Sequence, residues 1–365
     1  MSAQRDQALS ISSHVSEVGT ALDAALARTI REESQKGTPS MDLSSARYII
    51  FSDLHRGARN GADDFLRAER AYNAALSYYL RMGHTLVVLG DVEELWEERP
   101  ASVVKAYKHS LALESQFHHK GRYVRIRGNH DDEWQFTDRV RLFLSSLFGG
   151  PQLDVRESTR IVVTDKGEEL GALFLIHGHQ GDAWADAASR VAKIFVRYVW
   201  RPFQRLTRLS FNTPAESWEL REKHNSALYS WAEKQSKLIL IAGHTHRPVF
   251  KSQSHVAQLL EEVERLEKEA ESKPSRILLE AQAVLLAKIE WVLAQERQKP
   301  DRETRYAMTK PCYFNTGCCS FLDGDITGIE IVDGMIRLIR WPDKEGSPKP
   351  HTLAKDSLRD VLAAC

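Results

Sequence analysis

The chain has 365 residues, with 50 Lys plus Arg against 50 Asp plus Glu, so its formal net charge is zero. Hydrophobic residues make up 42% and charged residues 27%, which supplies a core and excludes a disordered chain, a collagen and a disulfide-stapled miniprotein. Balanced charge also argues against a protein that coats nucleic acid with its whole surface, leaving only local basic patches.

The apolar runs Leu173–Ile176 and Leu238–Ala242 are strand-sized, far short of the roughly 20 residues of a membrane-spanning helix. The first ten residues, MSAQRDQALS, carry no basic start followed by an apolar stretch. No secretory signal is therefore read, and a cytoplasmic location is expected. Cys312, Cys318, Cys319 and Cys365 form no CxxC pair and no disulfide framework.

In chain order, residues 1–46 read as a polar N-terminal arm with a helical stretch from His14 to about Lys36. The run Tyr48–Phe51 ends in Ser52-Asp53, a helical stretch follows from about Ala62 to Met82, and Leu86–Leu89 ends in Gly90-Asp91. A further helix leads to Tyr123–Ile126 and then Gly128-Asn129-His130-Asp131. Ala172–Ile176 ends in His177-Gly178-His179, and Leu238–Ala242 in Gly243-His244-Thr245-His246. Strands alternating with helices point to βαβ units, and in such sheets ligands bind at the carboxyl ends of the strands. Tyr313–Thr316 and two alternating runs joined by Asp333-Gly334, a strong hairpin pair, add antiparallel strands and suggest a mixed sheet or a sandwich.

The expected core therefore covers 47–181, 236–252 and 306–345, with a helical cap inserted at 182–235, a helical hairpin at 253–305 and a C-terminal tail at 346–365. The hairpin alternates leucines with glutamates around Pro274. It reads equally as a solvated protrusion or as an arm for self-association or another partner.

Asp53, His55, Asp91, Asn129, His130, His177, His179, His244 and His246 each follow an apolar run. Each alone has an ordinary explanation as a turn or surface residue, but nine such residues behind five strands do not. Two divalent ions about 3.5–4 Å apart need a bridging carboxylate and neutral imidazoles. The mixture of carboxylate, amide and imidazole suits manganese first, with iron or zinc as alternatives, and the lack of cysteine speaks against structural zinc. Two such metals flanking an anionic group would clamp a phosphoryl oxygen and generate hydroxide near neutral pH, as in a hydrolase.

These five blocks resemble those of the calcineurin-like metallophosphoesterases over Asp53 to His246. The resemblance implies an α/β fold built as a four-layer α/β/β/α sandwich with a dinuclear centre. It implies that Asp53, His55 and His246 hold one metal, Asn129, His177 and His244 the other, and that Asp91 bridges them. In the HGH block His177 is the first choice of ligand and His179 the second. By the same likeness His130 assists phosphoryl transfer, with Asp131 orienting it.

Asp91-Val92-Glu93-Glu94-Leu95-Trp96 fits D-x-x-E-x-W and residues 243–248 read GHTHRP. Both are similar to the UDP-2,3-diacylglucosamine pyrophosphatases, which also carry a helical cap before GHTH. Those enzymes typically have Arg where this chain has His130, and they lack a long insertion at 253–305.

In the cap, Arg190, Lys193, Arg197, Arg201, Arg205 and Arg208 recur at three- or four-residue spacing among apolar and aromatic residues. One reading is an ordinary amphipathic cap with a solvated basic side. The other gives Arg197, Arg201 and Arg205 to an anionic lipid head or membrane surface, where each basic residue contributes about 1 kcal/mol. The leading expectation is hydrolysis of a nucleotide-lipid pyrophosphate by a metal-bridging hydroxide. The alternatives are a general phosphodiesterase or phosphatase on soluble nucleotides or proteins, a nuclease using the basic cap, and a silent binding protein.

Overall fold

The computed structural model describes residues 2–60, 63–181, 214–254, 308–321, 323–343 and 348–365, together with Val263, Gln282 and Leu286. The basic stripe of the cap and nearly all of the 253–305 insertion lie outside these residues, as do Arg197, Arg201 and Arg205.

Alternation within each apolar run sets the layers. In β2 (Arg47–Phe51), Ile49 and Phe51 enter one core while Ile50 enters another. In β3 (Thr85–Leu89), Leu86 and Val88 face the first and Val87 and Leu89 the second. The pattern recurs in β7 (Glu168–Ile176) and β8 (Leu238–Ala242), where Leu173, Leu175, Ile239 and Ile241 meet that second core. Phe174, Ile176, Leu238 and Leu240 enter a third. Strands buried on both faces read as continuous apolar runs, which is why they stand out in the sequence.

Among the described residues the strands form two seven-stranded sheets. One runs β1 (Ser40–Asp42), β6 (Ser158–Asp165), β7, β8, β11 (Tyr313–Thr316), β9 (Pro248–Phe250), β10 (Gln253–Ser254). The other runs β14 (His351–Ser357), β13 (Met335–Trp341), β12 (Ile326–Val332), β2, β3, β4 (Tyr123–Ile126), β5 (Val155–Arg156). They share the core formed by Ile50, Val87, Leu89, Ile329 and Leu338 against Ile161, Leu173, Ile239 and Phe314. Helices α2 (Glu69–Arg81), α3 (Pro100–Ala106) and α4 (Lys108–His119) cover the outer face of the second sheet. Short helices α5 (Thr137–Phe143) and α6 (Ser145–Phe148) extend that cover. Two helices, α1 (Ser2–Lys36) and α7 (Pro214–Ala232), cover the first sheet, completing four layers.

Three boundaries differ from the sequence reading. The expected tail pairs as β14 along β13 and ends in α8 (Leu358–Ala363), which buries Leu358, Val361 and Leu362 in the inner core. The expected arm starts its helix near the N-terminus, buries Val18, Leu22 and Ala25 against α7, and sends β1 into the first sheet beside β6. Residues 214–235 of the expected cap include α7, whose Ala227, Leu228 and Trp231 are core residues. Trp231 donates its indole N–H to Asp23 of α1 at 2.7 Å.

Strands β2, β3 and β4 are mutually parallel, as are β7, β8 and β11, so their carboxyl ends gather at one edge of the sandwich. Beneath that edge lie four buried charges. Arg56 pairs with Glu114 and Arg125 with Glu93. Arg56 Nη1 lies 3.6 Å from Glu93 Oε1, and Arg125 Nη1 lies 3.9 Å from Glu114 Oε2. Tyr72 and Tyr123 donate their hydroxyls to Glu114 at 3.1 and 2.7 Å, and Trp134 donates Nε1 to Glu93 at 2.8 Å. Removing one partner of such a set leaves a buried charge uncompensated. Glu114→Gln is expected to lower unfolding stability by about 3–5 kcal/mol. Urea unfolding of the metal-free protein checks this, and a loss below about 1 kcal/mol would contradict it.

Candidate metal centre

The parallel strands deliver their polar residues through tight loops. Asp53, His55, Asp91, His244 and His246 all adopt left-handed backbone conformations, with φ of 52, 50, 50, 66 and 58°. For residues other than glycine this costs on the order of 1–3 kcal/mol each and persists only where surrounding contacts dictate it. Here the backbone supplies those contacts. Asp53 N–H donates to Gly90 O at 3.1 Å, His55 N–H to Asp91 O at 2.9 Å, and His244 N–H to the Asp53 carboxylate at 3.0 Å. Two glycines permit the close approach. A Cβ on Gly90 would overlap the His177 ring, and one on Gly128 would overlap the Asp91 carboxylate.

The loops bring together three groups whose donor atoms lie within 4.8 Å of one another: Asp53, His55 and His246; His55, Asp91 and His130; Asp91, His177 and His244. His177 thus joins Asp91 and His244, while His179 falls outside these groups, its ring 5.4 Å from that of His177.

The hydrogen bonds fix which nitrogens point inward. His177 Nδ1 faces Leu89 O at 2.8 Å, so it donates there and leaves Nε2 aimed at Asp91 Oδ2 3.1 Å away. His55 Nδ1 faces Glu94 Oε2 at 3.1 Å, leaving its Nε2 only 3.1 Å from Nε2 of His246. His246 Nε2 in turn lies 3.2 Å from Asp53 Oδ1. The amide oxygen of Asn129 is buried without a hydrogen-bond partner. Lone pairs converging on lone pairs need a cation between them, either a proton or a metal ion.

The electrostatics reflect the same convergence. Burial lowers the pKa of His55, but Glu94, Asp91 and Asp53 outweigh it and push it up to about 10. His177 is likewise penalised by burial yet pushed up to about 9 by Asp91 and Asp53. Burial raises Asp53, but His246 and His177 bring it down to about 2.

Residues 46–248, more than half of the chain, match the family model of the calcineurin-like phosphoesterases. The chain belongs to this family. No curated protein matches it. Among solved structures, that of a single mutant of Vps29 from Entamoeba histolytica is similar at 13% identity, covering 84% of this chain and 97% of that one with a TM-score of 0.30.

Around the phosphoesterase centre the structure adds residues that the sequence reading did not single out for a role. Glu94 accepts from His55 and, at 2.7 Å, from Nδ1 of His130. Trp96 stacks on His130 at 4.1 Å and donates its indole N–H to the backbone oxygen of Asn129 at 2.6 Å. Glu94 and Trp96 are the E and W of D-x-x-E-x-W, so the motif was visible and only its geometry was not. Asp131 does not orient His130 as expected. It is fully buried behind the loop, and its carboxylate accepts from the backbone N–H groups of Val92 and Gly128 at 3.1 and 2.6 Å. It therefore shapes the GNHD turn, and Glu94 takes the orienting place.

The GHTH loop is held from beneath. Asn315 donates to Gly243 O at 2.6 Å, while Thr245 and Tyr313 both donate to Asn225 Oδ1 at 3.1 and 2.7 Å. His224 packs against His244 at 5.3 Å and bonds Gly178 O at 2.5 Å. Nothing in the sequence marks Asn225, His224 or Asn315 beyond their place on helical or strand runs. Glu94→Gln keeps only one acceptor where two imidazole N–H groups need one each, and it is expected to weaken divalent-metal affinity about 10–100-fold. Competition against a chelator measures this; affinity unchanged within about threefold would contradict the orienting role.

Proposed function

We propose that Asp53, His55 and His246 hold one divalent ion, that Asn129, His177 and His244 hold a second, and that Asp91 bridges them in a phosphoesterase. The observation carrying this reading is the inward convergence of the His177, His55 and His246 nitrogens on Asp91 and Asp53. The donor set of carboxylate, amide oxygen and imidazole favours manganese, iron or zinc. When bound, two such ions supply Lewis acidity to a phosphoryl oxygen and acidify a water.

The chain's own residues do the rest. Buried imidazoles and carboxylates place the reacting phosphate at the strand ends. Glu94 and Asp91 outweigh burial and hold His130 above the usual imidazole range. With Nδ1 on Glu94 and its plane set by Trp96, His130 offers Nε2–H to the oxygen of the leaving group.

For substrate we infer a nucleotide-lipid pyrophosphate such as UDP-2,3-diacylglucosamine. The support is D-x-x-E-x-W, whose Glu and Trp flank His130, together with GHTHRP and an insertion before it. The basic, aromatic-rich stretch around Arg197, Arg201 and Arg205 would then meet the lipid or an anionic membrane. Among the described residues no helix is long and apolar enough to cross a membrane.

Metal loading must displace the protons of His55 and His177, whose pKa values the neighbouring carboxylates push up to about 10 and about 9. Both values are raised, so in the metal-free protein these protons stabilise below the ordinary imidazole pKa of about 6.5, and that stability is lost as pH rises through 9 to 10. Calorimetric metal titration at pH 7 in buffers of different ionisation enthalpy is expected to show about two protons released. No buffer dependence would show that the two imidazoles are already neutral at pH 7 and contradict their raised pKa values.

Incubating the manganese-loaded protein with UDP-2,3-diacylglucosamine in detergent is expected to yield UMP and acylglucosamine phosphate, identified by mass spectrometry, with none from Asp91→Ala. Cleavage of bis(p-nitrophenyl) phosphate without turnover of the lipid would keep the phosphoesterase and discard this substrate in favour of soluble nucleotides or nucleic acid.

A further inference from the structure

Helix α1 lies before residue 46, where the family match begins, yet it reaches the metal centre through α7. His224 of α7 is buried and touches both loops that carry histidines of the proposed second ion. Its Nε2 lies 2.5 Å from Gly178 O in the HGH loop, and its ring meets that of His244 edge-on at 5.3 Å. The rings of His177 and His244 are themselves 5.3 Å apart, and Gly243 N–H donates to His177 O at 2.9 Å. One side chain thus bridges the two loops.

A carbonyl oxygen only accepts, so Nε2 of His224 carries the ring proton and Nδ1 of the neutral ring presents a lone pair. That lone pair faces Nε2 of His14, 3.2 Å away on α1, with the two ring centroids 5.4 Å apart. An N–H donated by His14 holds this tautomer and opposes a turn of the ring that would put a carbon against Gly178 O. The backbone of α1 abuts the same loop. A Cβ on Gly181 would come 2.6 Å from Val18 Cα, and Gly181 adopts φ of 76°. Further along, α1 is anchored by Leu22 and Ala25 in the core and by Asp23, which accepts from Trp231. Asp53 and His55 of the first ion's set, by contrast, follow β2 in the other sheet, which α2, α3 and α4 cover.

We propose that His14, acting through His224, is a positioning residue for the second ion, so that the N-terminal helix sets how strongly that site takes up metal while the first site binds independently of it. The proposal rests on the two-ion reading above and brings in a part of the chain that lies outside the residues matched to the family.

The test measures manganese affinity of the full chain by competition against a chelator, in the wild type and in two single-site backgrounds. His55→Ala removes a ligand of the first ion and leaves the second site, and Asn129→Ala does the reverse. Adding His14→Leu should weaken binding about tenfold in the His55→Ala background, the lower end of the effect of an outer partner, and less than about threefold in the Asn129→Ala background. His14→Gln, whose amide offers an N–H toward His224, should recover most of the loss. Should His14→Leu fail to fold, His224→Phe keeps a ring against His244 without its nitrogens and should show the same selective loss. Equal losses in both backgrounds, or none in either, would overturn the positioning role, as would a His14→Gln protein no better than His14→Leu. A wild type that takes up only one ion would overturn the two-ion reading itself, an outcome read from the stoichiometry before any His14 variant is made.

Discussion

Two arginines and two glutamates, neutral in sum and buried together, tie the catalytic edge of this protein to its scaffold. Arg56 follows His55, Glu93 lies two residues beyond Asp91, Arg125 is in β4 just before the Asn129 turn, and Glu114 rises from α4. Each of the three site loops from the second sheet is thus clamped through a neighbour of its key residue. Ion pairs desolvated this completely contribute little net stability against an apolar replacement, but a misplaced partner is severely penalised. The quartet therefore acts on geometry more than on stability, and the left-handed residues above it have a firm base.

That base explains how the converging donors are held together. Asp53 and Asp91 would repel each other at close range, and His55, His177 and His246 would compete for one small volume. Their placement is settled instead by bonds pointing away from the centre: His177 to Leu89 O, His55 and His130 to Glu94, His244 N–H to Asp53. Outward bonds set tautomer and direction, and inward atoms are left bare.

Much of this was legible in the sequence because the central strands are buried on both faces, so they read as unbroken apolar runs ending in polar residues. What escaped notice has the opposite character. β14 is an edge strand of sequence HTLAKDS with no fully buried position, and β6 alternates weakly between buried and half-exposed positions. Arg56, Glu93, Glu114 and Arg125 look like surface charges, since burial of a charge has no one-residue signature. Glu94 sat in a recognised motif, yet its partners His55 and His130 lie 39 and 36 positions away. Asp131 stood next to His130 in sequence, and adjacency there suggested a contact that the turn directs elsewhere.

The long span between paired elements has a consequence for how the protein comes together. His14 meets His224 and Asp23 meets Trp231 across separations of 210 and 208 residues, while His246 closes on Asp53 from the far end of the core. Contacts this distant form late, after the loop-closure entropy has been met by the strands between them. A nascent chain emerging from the ribosome therefore holds no complete donor set until α7 and the GHTH loop have been synthesised. Under the proposed ligand assignment, metal capture then follows synthesis of the GHTH loop.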